Sequence, residues 1–184
     1  PTADNGPFYL DGPINITTVN HILRGAGSRQ ARLEFGTGFD APLIKFARTD
    51  QTANDYLSGC GLENVYVDGT GGAGTSRWAV DLIKCSGFNM SNVEWGGVSF
   101  GVRILGGQEN NIDRIGGDGS GQPALTPIAN STHLYVGAAP YTGSTQPNYT
   151  TRISNFQMGG GGRLTRNLEY MMTIGQADGL EISS

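Results

Sequence analysis

Of the 184 residues, 30 are glycine, eight are proline, only 15% are charged, and the net charge is −4. That length can bury one real core, and low charge beside ample large apolar residues argues against a disordered chain. A negative balance without a basic run disfavours nucleic acid as a partner; no stretch nears the roughly 20 apolar residues of a membrane span, so no membrane insertion is expected.

The predicted elements are short strands throughout. At the front, "INI" (14–16), "HIL" (21–23) and "LEF" (33–35) supply three strands of one coil. "LIKF" (43–46) with "LENVYVD" (62–68) makes the next. Residues 79–95, "AVDLIKCSGFNMSNVEW", then repeat without a gap 22 positions on in "GVRILGGQENNIDRIGG" (101–117). Val80 matches Val102, Leu82 matches Ile104, Met90 matches Ile112 and Val93 matches Ile115. Alternation places these residues inward. Glycine and asparagine mark the corners because both tolerate positive φ. "HLYV" (133–136) with "ISNFQM" (153–158) makes a further coil, and "MTI" (172–174) with "LEI" (180–182) begins the last.

A strand-forming repeat of this length points to a solenoid. The expectation is an all-β, right-handed, single-stranded parallel β-helix of about six triangular coils, stacked at roughly 4.8 Å, over residues 1–184 as one domain. An antiparallel sandwich or barrel is the competing arrangement, but it does not require a gap-free register. Both ends read as cut, so the expectation is a piece of a longer chain. "GAAPYTGSTQPNYTT" (137–151) replaces a turn of a few residues with a long inserted loop. Loops on a rigid scaffold often carry binding groups. Cys60 and Cys85 fall in different columns of the repeat, so no disulfide is expected.

The opening "GPFYLDGPINITTVNHILRGAGSRQARLEF" resembles the first coil of phage tailspikes and other polysaccharide-degrading members of the pectate-lyase-like superfamily. The resemblance rests on Gly6, Phe8, Leu10, Leu23, Gly25, Gly27, Leu33 and Phe35. It implies a protein of the virion tail, commonly a homotrimer, that grips and cuts a bacterial surface polysaccharide. The alternatives are a non-catalytic fibre or receptor-binding module and a secreted bacterial lyase or hydrolase. Polygalacturonase motifs are not matched beyond "RIL" at 103–105. The outward positions of the first strand do not form the acid cluster that a hard cation needs, so no metal and no other cofactor is expected.

Asp68 and Asp118 occupy equivalent positions after the third strand, two coils apart, or roughly 9–10 Å. Tilt could bring them near the separation of an inverting glycosidase pair, about 6.5–9.5 Å. Glu94 in the intervening coil is a third candidate acid, with Trp95 beside it as a candidate sugar contact. The other reading of both aspartates is turn chemistry, since Asp-Gly is a common strand-end signal. Asp81 and Arg103 share an outward column one coil apart; they read either as a surface salt bridge or as an acid and a sugar-binding cation. Tyr135, near the same column, and Tyr141 and Tyr149, in the long loop, offer flat faces for a pyranose ring.

Overall fold

The structure is a computed structural model that describes residues 7–27, 31–50, 55–69, 76–98, 100–117, 131–141, 144–158 and 170–183. The strands begin with β1 (Phe8–Leu10), β2 (Ile14–Ile16), β3 (Ile22–Arg24), β4 (Arg32–Phe35), β5 (Ile44–Phe46), β6 (Leu57–Ser58) and β7 (Gly61–Asp68). They continue with β8 (Trp78–Ile83), β9 (Cys85–Ser86), β10 (Asn89–Gly96), β11 (Phe100–Leu105), β12 (Asn111–Gly117) and β13 (Thr132–Gly137). The last are β14 (Ala139–Tyr141), β15 (Ser144–Gln146), β16 (Asn148–Tyr149), β17 (Arg152–Met158), β18 (Tyr170–Ile174), β19 (Ala177–Asp178) and β20 (Glu181–Ser183). No helix occurs among the described residues.

Two parallel sheets organise these strands. A six-stranded sheet runs β18-β13-β11-β8-β5-β2, and an eight-stranded one runs β1-β4-β7-β10-β12-β17-β20 with β3 also paired to β7. The chain therefore passes from one sheet to the other and returns one strand further on. The repeat seen in sequence is the hydrogen-bonding register itself: Val80 lies opposite Val102 and Leu82 opposite Ile104, Met90 opposite Ile112 and Val93 opposite Ile115. Parallel pairing rules out the antiparallel sandwich. Among the described residues the one antiparallel pair is β14 with β15, a hairpin within residues 137–151.

The core fills the space between the sheets. Val80, Leu82, Met90, Val102, Ile104, Ile112, Leu134, Val136 and Ile153 are fully buried in it, and Phe46 meets Phe88 edge-on at 4.7 Å between centroids. Burying an aliphatic side chain of this size stabilises by about 1.5–3 kcal/mol, so one inward column per strand is enough to hold neighbouring coils together. Cys60 and Cys85 are free and buried, as small apolar residues of this interior.

The corners are where the sequence reading needs revision. A triangular coil would put a corner between Met90 and Val93 that ends one strand and starts another, yet β10 runs through both. The bend is a single left-handed residue: Asn64, Asn92, Arg114 and Asn155 all have φ of 49–57° and interrupt otherwise continuous ladders. One residue of that hand turns the strand without ending it, and Asn92 Nδ2 donates to Asn64 Oδ1 at 2.8 Å along the corner. A second such column holds Gly59, Gly87, Glu109, Thr150 and Gly179, linked by amide-to-carbonyl hydrogen bonds from one coil to the next.

Candidate binding groove and neighbouring acids

The outer side of the six-stranded sheet carries a column set by register: Lys45 opposite Asp81, Asp81 opposite Arg103, Arg103 opposite Tyr135, and Tyr135 opposite Thr173. Arg103 Nε donates to Asp81 Oδ1 at 2.8 Å and its second nitrogen, Nη2, to Oδ2 at 2.7 Å. This is a two-pronged contact, the strong geometry for a guanidinium and a carboxylate. It is not the surface salt bridge of the sequence reading. Asp81 is 0% exposed and Arg103 29%, so Asp81 is buried beneath its partner and cannot itself touch a ligand.

Aromatic side chains surround the pair. The Arg103 guanidinium carbon sits 5.1 Å from the centre of the Trp78 ring, a cation–π distance. Trp78 packs on Phe100 at 4.8 Å and approaches Tyr135 edge-on at 6.3 Å. Together with Thr132 and Tyr170 these residues line a groove of about 1000 Å³. Pro140, at the start of the β14–β15 hairpin, contributes to its rim. The Tyr135 ring lies along the sheet over Gly137 and Gly175. A Cβ at Gly137 would come within 2.7 Å of the ring, and one at Gly175 within 3.0 Å of its hydroxyl. Glycine at both positions leaves the room the ring occupies.

Sequence reasoning found Arg103 and Tyr135 but missed Trp78 and Phe100. Strict alternation puts residues 78, 80 and 82 on one face, which would send Trp78 inward. Instead Ala79 and Val80 both join the core, and the ladder pairs Phe100 with Trp78 and then skips to Val102 with Val80. That local break turns Trp78 outward. A tryptophan directly before a core alanine was the only signal available.

The candidate acids lie elsewhere. Asp68 belongs to β7 of the eight-stranded sheet; it is 3% exposed and ion-paired with Arg32, which also approaches Glu34 at 3.6 Å. Glu94, on β10, stands opposite Tyr66 and Gly116, while Asp68 stands opposite Gly96. Asp68 and Glu94 thus sit on adjacent strands, two positions apart. Asp118 lies outside the described residues. Trp95 is not a sugar contact in this chain: it is 1% exposed, inside the core, with its indole nitrogen 3.4 Å from His133 Nδ1. Tyr141 and Tyr149 do not join Tyr135. Tyr141 stacks on the Lys84 ammonium at 5.2 Å, and Tyr56, 5.8 Å from the same ammonium, accepts a 2.7 Å hydrogen bond from Gln146. Burial lowers the Lys84 pKa and raises that of Tyr56. The corner therefore anchors the hairpin rather than opening a site. No group of three or more His, Cys, Asp or Glu side chains able to hold a metal occurs among the described residues.

A solved structure with the same arrangement comes from Parabacteroides merdae and carries the name "putative glycosyl hydrolase". The likeness is one of fold. It extends over 97% of this chain and 78% of that one, at a TM-score of 0.59 and 10% sequence identity. No protein-family model matches the chain, and no curated protein does.

Proposed function

We propose that the chain is part of a right-handed parallel β-helix that binds a polysaccharide along the groove of Trp78, Phe100, Arg103 and Tyr135. The observation that carries this reading is the groove's make-up. Tyr135 and the 49% exposed Tyr170, backed by Trp78 and Phe100 at 7% and 6% exposure, with a fixed guanidinium beside them, suit a repeating chain of pyranose rings with apolar faces and hydroxyl edges. Sites that hold organic ligands combine such a mainly apolar lining with a few placed polar groups. The name carried by the Parabacteroides merdae structure points to the same class of ligand.

The proposal extends to cleavage of a bacterial capsule, O-antigen or exopolysaccharide by a tailspike-like homotrimer of the virion tail, with Asp68, Glu94 and Asp118 as the acids. Since Asp68 and Glu94 lie on the eight-stranded sheet, away from the groove, and Asp68 is 3% exposed beneath Arg32, the polysaccharide would be held at the groove and cut at a separate face. The chemistry would be hydrolysis through two carboxylates or β-elimination. A second reading, a non-catalytic glycan-binding module, is favoured by one specific feature: the acid at the groove, Asp81, is sequestered by Arg103. The test is incubation of the protein with purified capsule and lipopolysaccharide, following polymer length and reducing ends, beside alanine variants of the three acids. Cleavage lost in those variants supports the depolymerase. Cleavage unchanged in all of them removes these acids from the reaction, and binding without cleavage leaves the module. Sedimentation equilibrium checks the trimer: a monomer at micromolar concentration overturns it. A secreted lyase or hydrolase remains the remaining assignment for a cleaving monomer.

A further inference from the structure

We propose that the groove selects uncharged polysaccharide chains and discriminates against chains that carry uronic acids. This inference rests on the glycan reading above and narrows it to a substrate class.

Among the described residues that line the groove, Arg103 is the only charged one. Its charge is cancelled at contact distance. Nε and Nη2 are both engaged by Asp81 at 2.7–2.8 Å, and Asp81, with no exposed surface, is enclosed where it lies. A sugar carboxylate arriving at the guanidinium would meet an ion pair rather than a free cation. It would lose its hydration and gain little, since a buried anion needs a full counter-charge to offset desolvation. Lys45, on the strand at the other side of Asp81, does not line the groove.

What the groove does offer is suited to neutral sugars. The Arg103 Nη1 nitrogen makes no hydrogen bond among the described residues, and neither does the Tyr135 hydroxyl; both can serve a sugar hydroxyl. Thr132 is 2% exposed and its Oγ1 is engaged inside the protein, donating to the Leu134 carbonyl and accepting from Thr173 Oγ1 at 3.5 Å, so the polar contacts fall to Arg103 and Tyr135. Tyr135 and the exposed Tyr170 supply ring surface for the C–H face of a pyranose, while the nearly buried Trp78 and Phe100 back them. Ring contact depends on shape and apolar area, so the same groove accepts a neutral chain without any charge to match.

Affinity electrophoresis tests the inference, with the protein run through native gels containing either dextran, galactomannan or hydroxyethylcellulose, or polygalacturonate or alginate. The expected result is retardation by at least one neutral polymer, unchanged by added salt, with no stronger retardation by either acidic polymer. Tyr135→Ala should weaken that retardation about tenfold. Asp81→Asn, which uncovers the Arg103 charge, should gain retardation by polygalacturonate that fades as salt screens it. Salt-sensitive retention of the unmodified protein on an acidic polymer in preference to the neutral ones overturns the selectivity while leaving the glycan groove standing. Retention on none of the five polymers overturns both. Should Asp81→Asn not fold, the comparison of polymers with the unmodified protein still decides the question.

Discussion

Arg103 closes over Asp81 from the next strand of the sheet, with two hydrogen bonds of 2.7 and 2.8 Å onto a carboxylate that has no exposed surface. The contact spans 22 residues of sequence and a single step of the stack. The groove depends on that vertical adjacency, because the Arg103 guanidinium also lies over the Trp78 ring.

Removing one partner of this pair should cost more than removing both. Arg103→Met leaves the Asp81 charge buried without its counter-ion and should destabilise the fold by about 3–5 kcal/mol. The double change Asp81→Leu with Arg103→Met should recover most of that loss. Urea denaturation of the two variants and the parent gives the comparison, and a double variant as unstable as the single one would refute the account.

His133 should make stability fall in mild acid. Burial pushes its pKa down from the ordinary 6.5 to about 4, so in this window the unfolded chain takes up a proton that the folded chain refuses. Stability is then fully present above pH 6.5 and declines as pH falls towards 4, by up to about 3 kcal/mol. Unfolding midpoints measured across that range should slope downwards in acid for the parent and less steeply for His133→Gln. Identical slopes would show that His133 is not the group responsible.

The left-handed corner column predicts opposite effects for two exchanges. Gly87 has φ of 61° and open space where a Cβ would stand. Gly87→Ala should therefore destabilise by about 1 kcal/mol from backbone strain alone. Glu109, at φ of 54° in the next coil of that column, should gain from Glu109→Gly, by about 0.5 kcal/mol once the greater freedom of glycine in the unfolded chain is set against the relieved strain. Thermal melts of both variants read the signs, and a stabilised Gly87→Ala would contradict the corner geometry.

Neither thiol should react in the native state. Burial first, then the nearby Cys60 and Asp81, push the Cys85 thiol far up from its usual range, so almost no thiolate forms at neutral pH. Cys60 is equally enclosed, 3.4 Å from the Thr18 carbonyl. An aromatic disulfide reagent should titrate no thiol before denaturant is added and both afterwards. Rapid labelling of the native protein would mean that the core opens locally.

How far the sequence could be read depended on coil length. The coils of Val80 and Val102 were legible because 22 residues separate them without a gap. The next steps are harder: Asn92 to Asn64 is 28 residues and Ser154 to Asp113 is 41, so insertions blur the period even though the strands still stack. Tyr135 was placed in its outward column because "HLYV" alternates cleanly, whereas Trp78 was missed where alternation breaks at Ala79. Trp95 was misjudged for a related reason: its neighbour Glu94 is polar, but the parity of Val93 already sends Trp95 inward.

The sequence by itself determined the parallel stacking, the inward aliphatic columns and the corners at glycine and asparagine, since each follows from the chemistry of a residue and its nearest neighbours along the strand. The left-handed corners at Arg114, Glu109 and Thr150 are imposed by the stack. Only the tertiary structure decided that Asp81 is sealed under Arg103, that the aromatic groove and the Asp68–Glu94 region lie on different sheets, and that Tyr141 packs on Lys84 while Tyr149 joins the corner strands beside Gln108 and Asp178 instead of extending the groove. Those outcomes depend on contacts between coils, and the loops that separate the coils vary in length without altering the strand pairing. Spacing along the chain therefore carries the period but not the identity of every neighbour across it.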